Sequence, residues 1–141
     1  MNINLNKYNV LLESPSIEEF IILRHKIGWG ETDVEMAENS LANSLFHVVI
    51  RDESSIIGMG RVVGDGSMYF YVQDVVVDPA YQKQGIGRSL MSEIERYLSV
   101  AAKKGSTIAL LAAKGKESFY SQYGYTLRPN ESLGNGMCKF I

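Results

Sequence analysis

A chain of 141 residues with a single cysteine, Cys138, cannot close an intramolecular disulfide or build a multi-thiolate metal site. Its two histidines, His25 and His47, are too few for a zinc centre, so no metal is expected, and both belong on packed or solvent-facing elements. No apolar run is long enough to cross a bilayer, and the first seven residues lack the basic start and continuous apolar stretch of a signal peptide. The expectation is a soluble, cytoplasmic protein without a membrane partner. Excess charge of one sign is missing as well. Fourteen Lys+Arg against sixteen Asp+Glu give a net charge of -2, so no global positive field draws nucleic acid or anionic lipid.

What is present reads as a globular domain. The composition is 45% hydrophobic, 10% aromatic and 21% charged, close to globular averages. A chain of this length buries roughly two-thirds of its unfolded surface in one core, so residues 1–141 are expected to form a single domain.

The apolar pattern predicts a first strand over 5–12 and then a helix, because Ser16 with Glu19 three residues on forms a capping box. Thr32 to Glu35 repeats that signature, so two short helices should flank the corner Gly28-Trp29-Gly30. From Phe46 the period shortens. Segments 46–50, 56–63 and 68–77 read as three antiparallel strands, the last ending in Val75-Val76-Val77. A long helix from Gly85 to Ala102 follows, closed by Lys103, Lys104 and a C-terminal Gly105, and then a strand over 107–113. Strand, helix and strand make a right-handed crossover that places the new strand parallel to its predecessor. A short helix at 116–123 and a strand near 136–141 complete a mixed, mostly antiparallel α/β fold.

Between the valine-rich strand and the long helix lies Gln82-Lys83-Gln84-Gly85-Ile86-Gly87-Arg88-Ser89. A helix start offers unpaired N–H groups and a positive dipole end, the glycines admit a ligand to the backbone, and Lys83 and Arg88 add charge. Phosphate is the natural guest. The loop is neither a dinucleotide fingerprint, because Leu90 stands where the third glycine belongs, nor a P-loop, because no Gly-Lys-Ser/Thr occurs.

Gln82, Gly85 and Gly87 do fit the Gln/Arg-x-x-Gly-x-Gly/Ala signature of the GNAT superfamily of N-acetyltransferases, which this sequence resembles. A second segment, Phe119-Tyr120-Ser121-Gln122-Tyr123-Gly124-Tyr125, is similar to that family's Phe-Tyr-x-x-x-Gly-Phe/Tyr motif. The resemblance runs from about residue 5 to the end. It departs before the second motif, where many members carry an asparagine and this chain reads Ala113 to Ser118.

The resemblance implies a central sheet of six to seven strands with helices on both faces. It implies acetyl-CoA as cosubstrate, its pyrophosphate on the amides of residues 82–89 and its pantetheine arm along the backbone of Val75, Val76 and Val77. It places Tyr120 near the sulfur as general acid, a role open to a phenol whose reference pKa is about 10. Asp74 is implied as general base, acting directly or through water, with Tyr71 and Gln73 as candidates behind it; its other reading is a structural carboxylate, and a third course needs no base at all. Tyr71, Gln73 and Val75 should share one strand face and Asp74 the other, unless a bulge intervenes.

The acceptor side, by the same resemblance, draws on Arg24, His25, Trp29, Glu31 and Asp33, with Tyr71 beside them. Trp29 is either a substrate-facing ring or a buried corner plug, and Glu31 and Asp33 suit the start of the next helix. Cys138 reads as a small buried hydrophobe, since no histidine partner can be placed beside it. The implied activity is transfer of acetyl to a primary amine of a small molecule by direct attack in a ternary complex. Its alternatives are a peptide or protein acceptor, or a non-catalytic acyl-CoA-binding module. Homodimers are common among similar proteins, although this sequence shows no self-complementary patch.

Overall fold

The computed structural model describes residues 7–141, so residues 5 and 6 of the first predicted strand lie outside it. The chain forms two compact units that meet between Ile108 and Ala109. The first contains β1 (Asn9–Leu11), α1 (Ile17–Lys26), α2 (Val34–Ala42), β2 (Phe46–Asp52), β3 (Ser55–Gly64), β4 (Tyr69–Val77) and α3 (Ile86–Ala101), and β5 (Thr107–Ala109) spans the boundary. The second contains α4 (Glu117–Ser121) and irregular chain up to Ile141.

The sheet has five strands in the order β1-β2-β3-β4-β5, and the pairings of β1 through β4 are antiparallel. Five replaces the expected six to seven. The strand foreseen over 107–113 stops at Ala109, beyond which Leu111 is 58% exposed, so burial does not favour extended pairing there. No strand forms at 136–141, where Gly134 and Gly136 weaken the segment and Phe140 and Ile141 stay exposed, with no apolar burial to favour extended pairing. Cys138 is exposed with them, contrary to its reading as a buried hydrophobe.

Local signals settle the helix starts. Ser16 accepts from the Glu19 N–H at 3.1 Å while the Glu19 carboxylate accepts from the Ser16 N–H at 2.9 Å, the capping box that the sequence predicts. The second helix begins one residue later than its signature implied. Asp33, not Thr32, is the cap, accepting from the Met36 N–H at 2.9 Å, because the Thr32 hydroxyl takes a bond from Arg24. The long helix ends at Ala101, so Lys103 and Lys104 fall outside its last turn and Gly105 serves a separate turn beyond it.

Pairing register assigns the faces. Gly58, Gly60 and Val62 of β3 point with their partners Ile50, Val48 and Phe46 toward α3, whose Ile86, Leu90, Met91, Ile94 and Leu98 are buried. On the opposite face Phe20, Leu23, Ala37 and Leu41 of α1 and α2 cover Val49, Met59 and Val76. Gly58 sets the approach of α3, since a Cβ there would lie 2.9 Å from Ile86 Cγ2 and 3.3 Å from Leu90 Cδ1. Gly58→Val is expected to destabilise the fold by about 2 kcal/mol through overpacking, read as a lower urea midpoint at unchanged slope.

His47 of β2 donates from Nε2 to the Leu41 carbonyl at 3.0 Å, and its Nδ1 is buried without a partner among the described residues. Burial lowers its pKa below 6.5; the Leu41 carbonyl opposes this and Arg61 adds to it. The unfolded chain therefore takes up this proton first as pH falls, so the stability tied to neutral His47 is full above pH 6.5 and is lost below it. His47→Gln should flatten the acid side of a melting temperature against pH curve.

Candidate active site

The site begins at an irregularity in β4. Met59 pairs with Val76 and Arg61 with Gln73, so Gly60 alone stands opposite both Asp74 and Val75. The extra residue is absorbed at Asp74, whose φ of 55° is left-handed, a conformation that costs a non-glycine residue roughly 1 kcal/mol. The bulge changes the expected faces. Gln73 and Asp74 both turn to the side of α1 and α2, where Gln73 Nε2 donates to Asp74 Oδ1 at 3.1 Å, while Val75 lies 3.6 Å from the Cβ position of Gly60 on the α3 side.

Asp74 is 3% exposed and bound by two guanidinium groups. Arg24 of α1 donates through Nη1 to Oδ1, and Arg61 of β3 through Nε to Oδ2 at 2.9 Å. Arg61 also donates to the Ser40 carbonyl at 3.1 Å and the Ser44 hydroxyl at 2.9 Å, which joins α2 to the cluster. Buried charge of this kind persists only when paired and fully bonded, so the cluster locks α1, α2 and the bulge together.

Around Arg24 stand the remaining acceptor-side residues. Its Nε donates to Thr32 Oγ1 at 3.3 Å, and its Cζ lies 5.1 Å from the Trp29 ring and 5.5 Å from the Phe20 ring. Trp29 is 40% exposed, so it does not plug the corner but covers one face of the guanidinium. His25 and Glu31 form an exposed pair at 3.7 Å, and Asp33 is occupied as the cap of α2. Tyr71 is half-buried on the same side of β4 as Gln73.

The glycine loop lies at the far end of β4. A single 3-10 turn, Pro79–Tyr81, leads out of the strand, with Asp78 accepting from the Ala80 N–H at 2.9 Å and from Lys26 Nζ at 2.8 Å. Burial pushes the Asp78 carboxyl up, but Lys26 and the Ala80 amide outweigh it and hold the pKa below its ordinary value. Gln82 Nε2 donates to the Val77 carbonyl at 3.3 Å, and Gln84 accepts from the buried Tyr8 hydroxyl at 3.0 Å. Tyr8 also meets the ring of Tyr81 edge-on at 5.9 Å, so the first strand's segment braces the loop.

Lys83 and Gly85 are left-handed, at φ 66° and 84°. Gly85 occupies the N-cap of α3, where no side chain caps the helix, and the first turn holds no acidic residue. The N–H groups of Ile86, Gly87 and Arg88 are thereby left to a ligand, with Lys83 and Arg88 exposed beside them, Ser89 turned back onto the Gly85 carbonyl at 3.2 Å, and Gly87 half-exposed. This donor set fits a pyrophosphate.

In the second unit Tyr120 lies on α4, half-buried, its ring meeting Phe119 edge-on at 5.0 Å and Tyr125 at 6.4 Å. Burial raises its pKa above 10, so the phenol is protonated throughout the neutral range.

The sequence profile of the acetyltransferase (GNAT) domain family matches residues 28–140. The chain belongs to the GNAT family. A crystal structure of a probable acetyltransferase of unknown function from methicillin-resistant Staphylococcus aureus superposes with a TM-score of 0.87 at 31% identity, covering 95% of this chain and 99% of that one. An uncharacterized ycf52-like N-acetyltransferase of Prochlorococcus marinus is 32% identical over 76% of this chain and 61% of its own length. A chloroplastic serotonin N-acetyltransferase of Oryza sativa is 33% identical over 77% of this chain and 56% of its own. The chain thus spans little more than half the length of these two curated relatives.

Within this GNAT domain, sequence reasoning passed over Arg61 and Tyr8. Arg61 carried a signal: a lone arginine in the run Ile56 to Val63 must find a buried partner. Tyr8 carried none, because its bond to Gln84 spans 76 positions of sequence. Among the described residues no helix is long and apolar enough to cross a membrane.

Proposed function

We propose that the chain is an acetyl-CoA-dependent N-acetyltransferase that acetylates a primary amine of a small molecule by direct attack in a ternary complex. The observation that carries this reading is the start of α3, uncapped and free of acidic residues, with left-handed Lys83 and Gly85 before it. Residues 82–89 would hold the pyrophosphate and the backbone of Val75 to Val77 the pantetheine arm. In support, β5 is only three residues long against nine in β4, and its Thr107 N–H donates to the Met68 carbonyl, one residue before β4 begins, at 2.7 Å. Acetyl-CoA supplies the activated acyl group as a thioester.

Tyr120 is the proposed proton donor to the departing thiolate. Of the two roles open to Asp74, base or structural carboxylate, its two arginine partners favour the second: it positions the bulge and Arg24, and the amine loses its proton to solvent. The small-molecule acceptor is supported by a relative named for serotonin. The family profile crosses the boundary between the two units, which supports their acting as one domain. A cytoplasmic setting agrees with an exposed, unpaired Cys138, which a reducing compartment preserves.

Thermal unfolding with acetyl-CoA, CoA, NADP and ATP tests the reading. Ligand at about 100 times its Kd adds roughly 2.7 kcal/mol, a rise of several degrees at this size. A shift confined to acetyl-CoA and CoA, followed by thiol release on adding amines, is the expected result. No shift with either CoA ligand rejects it.

A further inference from the structure

Charge around Asp74 does not balance. Two guanidinium groups share one buried carboxylate, and Arg61, 7% exposed, is shut away from ligands while its Nε and Nη1 donate to Asp74, the Ser40 carbonyl and the Ser44 hydroxyl. Arg24 reaches the surface. Nε and Nη1 are engaged by Thr32 and Asp74, while Nη2 donates to no described residue and the side chain is 23% exposed. The rings of Trp29 and Phe20 lie 5.1 and 5.5 Å from its Cζ, and with the bonds to Thr32 and Asp74 they hold its direction before any ligand arrives. Neither neighbouring acid is bonded to it: Asp33 turns to the α2 cap, and Glu31 stands in solvent 3.7 Å from His25.

A clamped guanidinium with one unspent edge and one unbalanced positive charge calls for a monoanion with planar acceptor oxygens. We propose that the acceptor amine carries a carboxylate, that this carboxylate docks on Nη2 of Arg24, and that the exposed face of Trp29 covers the adjoining apolar part of the molecule. A phosphate, with its greater charge, would exceed what the cluster leaves unbalanced. Arg24 is then the residue that sets acceptor specificity, and Asp74, with Thr32, holds it in place. This inference rests on the acetyltransferase reading only for the purpose of the site; the binding itself is separable from it.

Calorimetric titration of the full chain with 3-phenylpropionate and with its neutral counterpart 3-phenylpropanol provides the test, since neither carries an amine and neither needs acetyl-CoA. The acid should bind at least about tenfold more tightly than the alcohol, the effect of one charge-assisted contact. Arg24→Gln should erase that difference, and Arg24→Lys, which keeps a cation for Asp74 and so guards against unfolding, should lose most of it. In turnover, phenylalanine should exceed phenethylamine in kcat/KM for the wild type alone. Equal affinity for acid and alcohol, no binding of the acid, or an unchanged preference in folded Arg24→Lys overturns the proposal. Failure of the acetyltransferase reading would show elsewhere, as absence of CoA stabilisation and of thiol release with every amine.

Discussion

Replacing Gly87 with glutamate is expected to weaken acetyl-CoA binding about a hundredfold while leaving the fold as stable as before or slightly more so. The two effects have opposite signs for one electrostatic reason. Gly87 is in the first turn of α3, which has no acidic residue and no side-chain cap. A carboxylate there meets the positive end of the helix dipole and contributes roughly 0.3–1 kcal/mol to the helix, and Gly87 has helical backbone, so a side chain adds no conformational strain. The same carboxylate would stand among the N–H groups offered to the pyrophosphate. Each charge-assisted bond displaced costs about 1.5–3 kcal/mol, and repulsion between like charges adds to that. Titration with CoA and a urea unfolding curve of the same preparation measure both numbers. Lower affinity with intact stability supports the loop as the phosphate site; unchanged affinity in a folded variant removes it.

The contrast between what was legible in the sequence and what was not follows the range of the interactions. Ser16 with Glu19, the valine run and the apolar period of α3 are local signals, and each produced its element within a few residues. The cap of α2 moved from Thr32 to Asp33 because a hydroxyl that local geometry would have used was claimed by Arg24 from another helix. The arginine pair could not be foreseen from β4 alone. Alternation put Asp74 on the face away from Tyr71 and Gln73, and only the unmatched Gly60 on the neighbouring strand, with a left-handed Asp74, brings it round to meet Arg24 and Arg61. The strand expected near 136–141 is absent for a related reason: the apolar residues around Lys139 look like a strand, but pairing depends on a neighbour that local pattern does not contain.

Tyr120→Phe is expected to lower kcat by about a hundredfold or more, within the usual range for loss of a general acid, while leaving acetyl-CoA affinity unchanged. The change deletes one oxygen and keeps the ring, so the edge-on contacts with Phe119 at 5.0 Å and Tyr125 at 6.4 Å survive and stability should hardly move. What is lost, on the proposed role, is a proton donor. A thiolate leaving a thioester takes up a proton, and a phenol whose pKa burial has raised above 10 keeps its proton available across the neutral and mildly alkaline range. The sign of that shift gives a second readout. If the donor must be protonated, wild-type kcat should fall on the alkaline side only as pH passes above 10, and the phenylalanine variant should retain its low rate without that limb. A purely packing role for Tyr120 makes a different forecast, with kcat near wild type and the alkaline limb intact. Steady-state rates against pH for the two proteins, with any acceptor that the wild type turns over, separate the cases. A variant whose kcat equals the wild type's would return Tyr120 to the set of aromatic residues that merely fill the second unit.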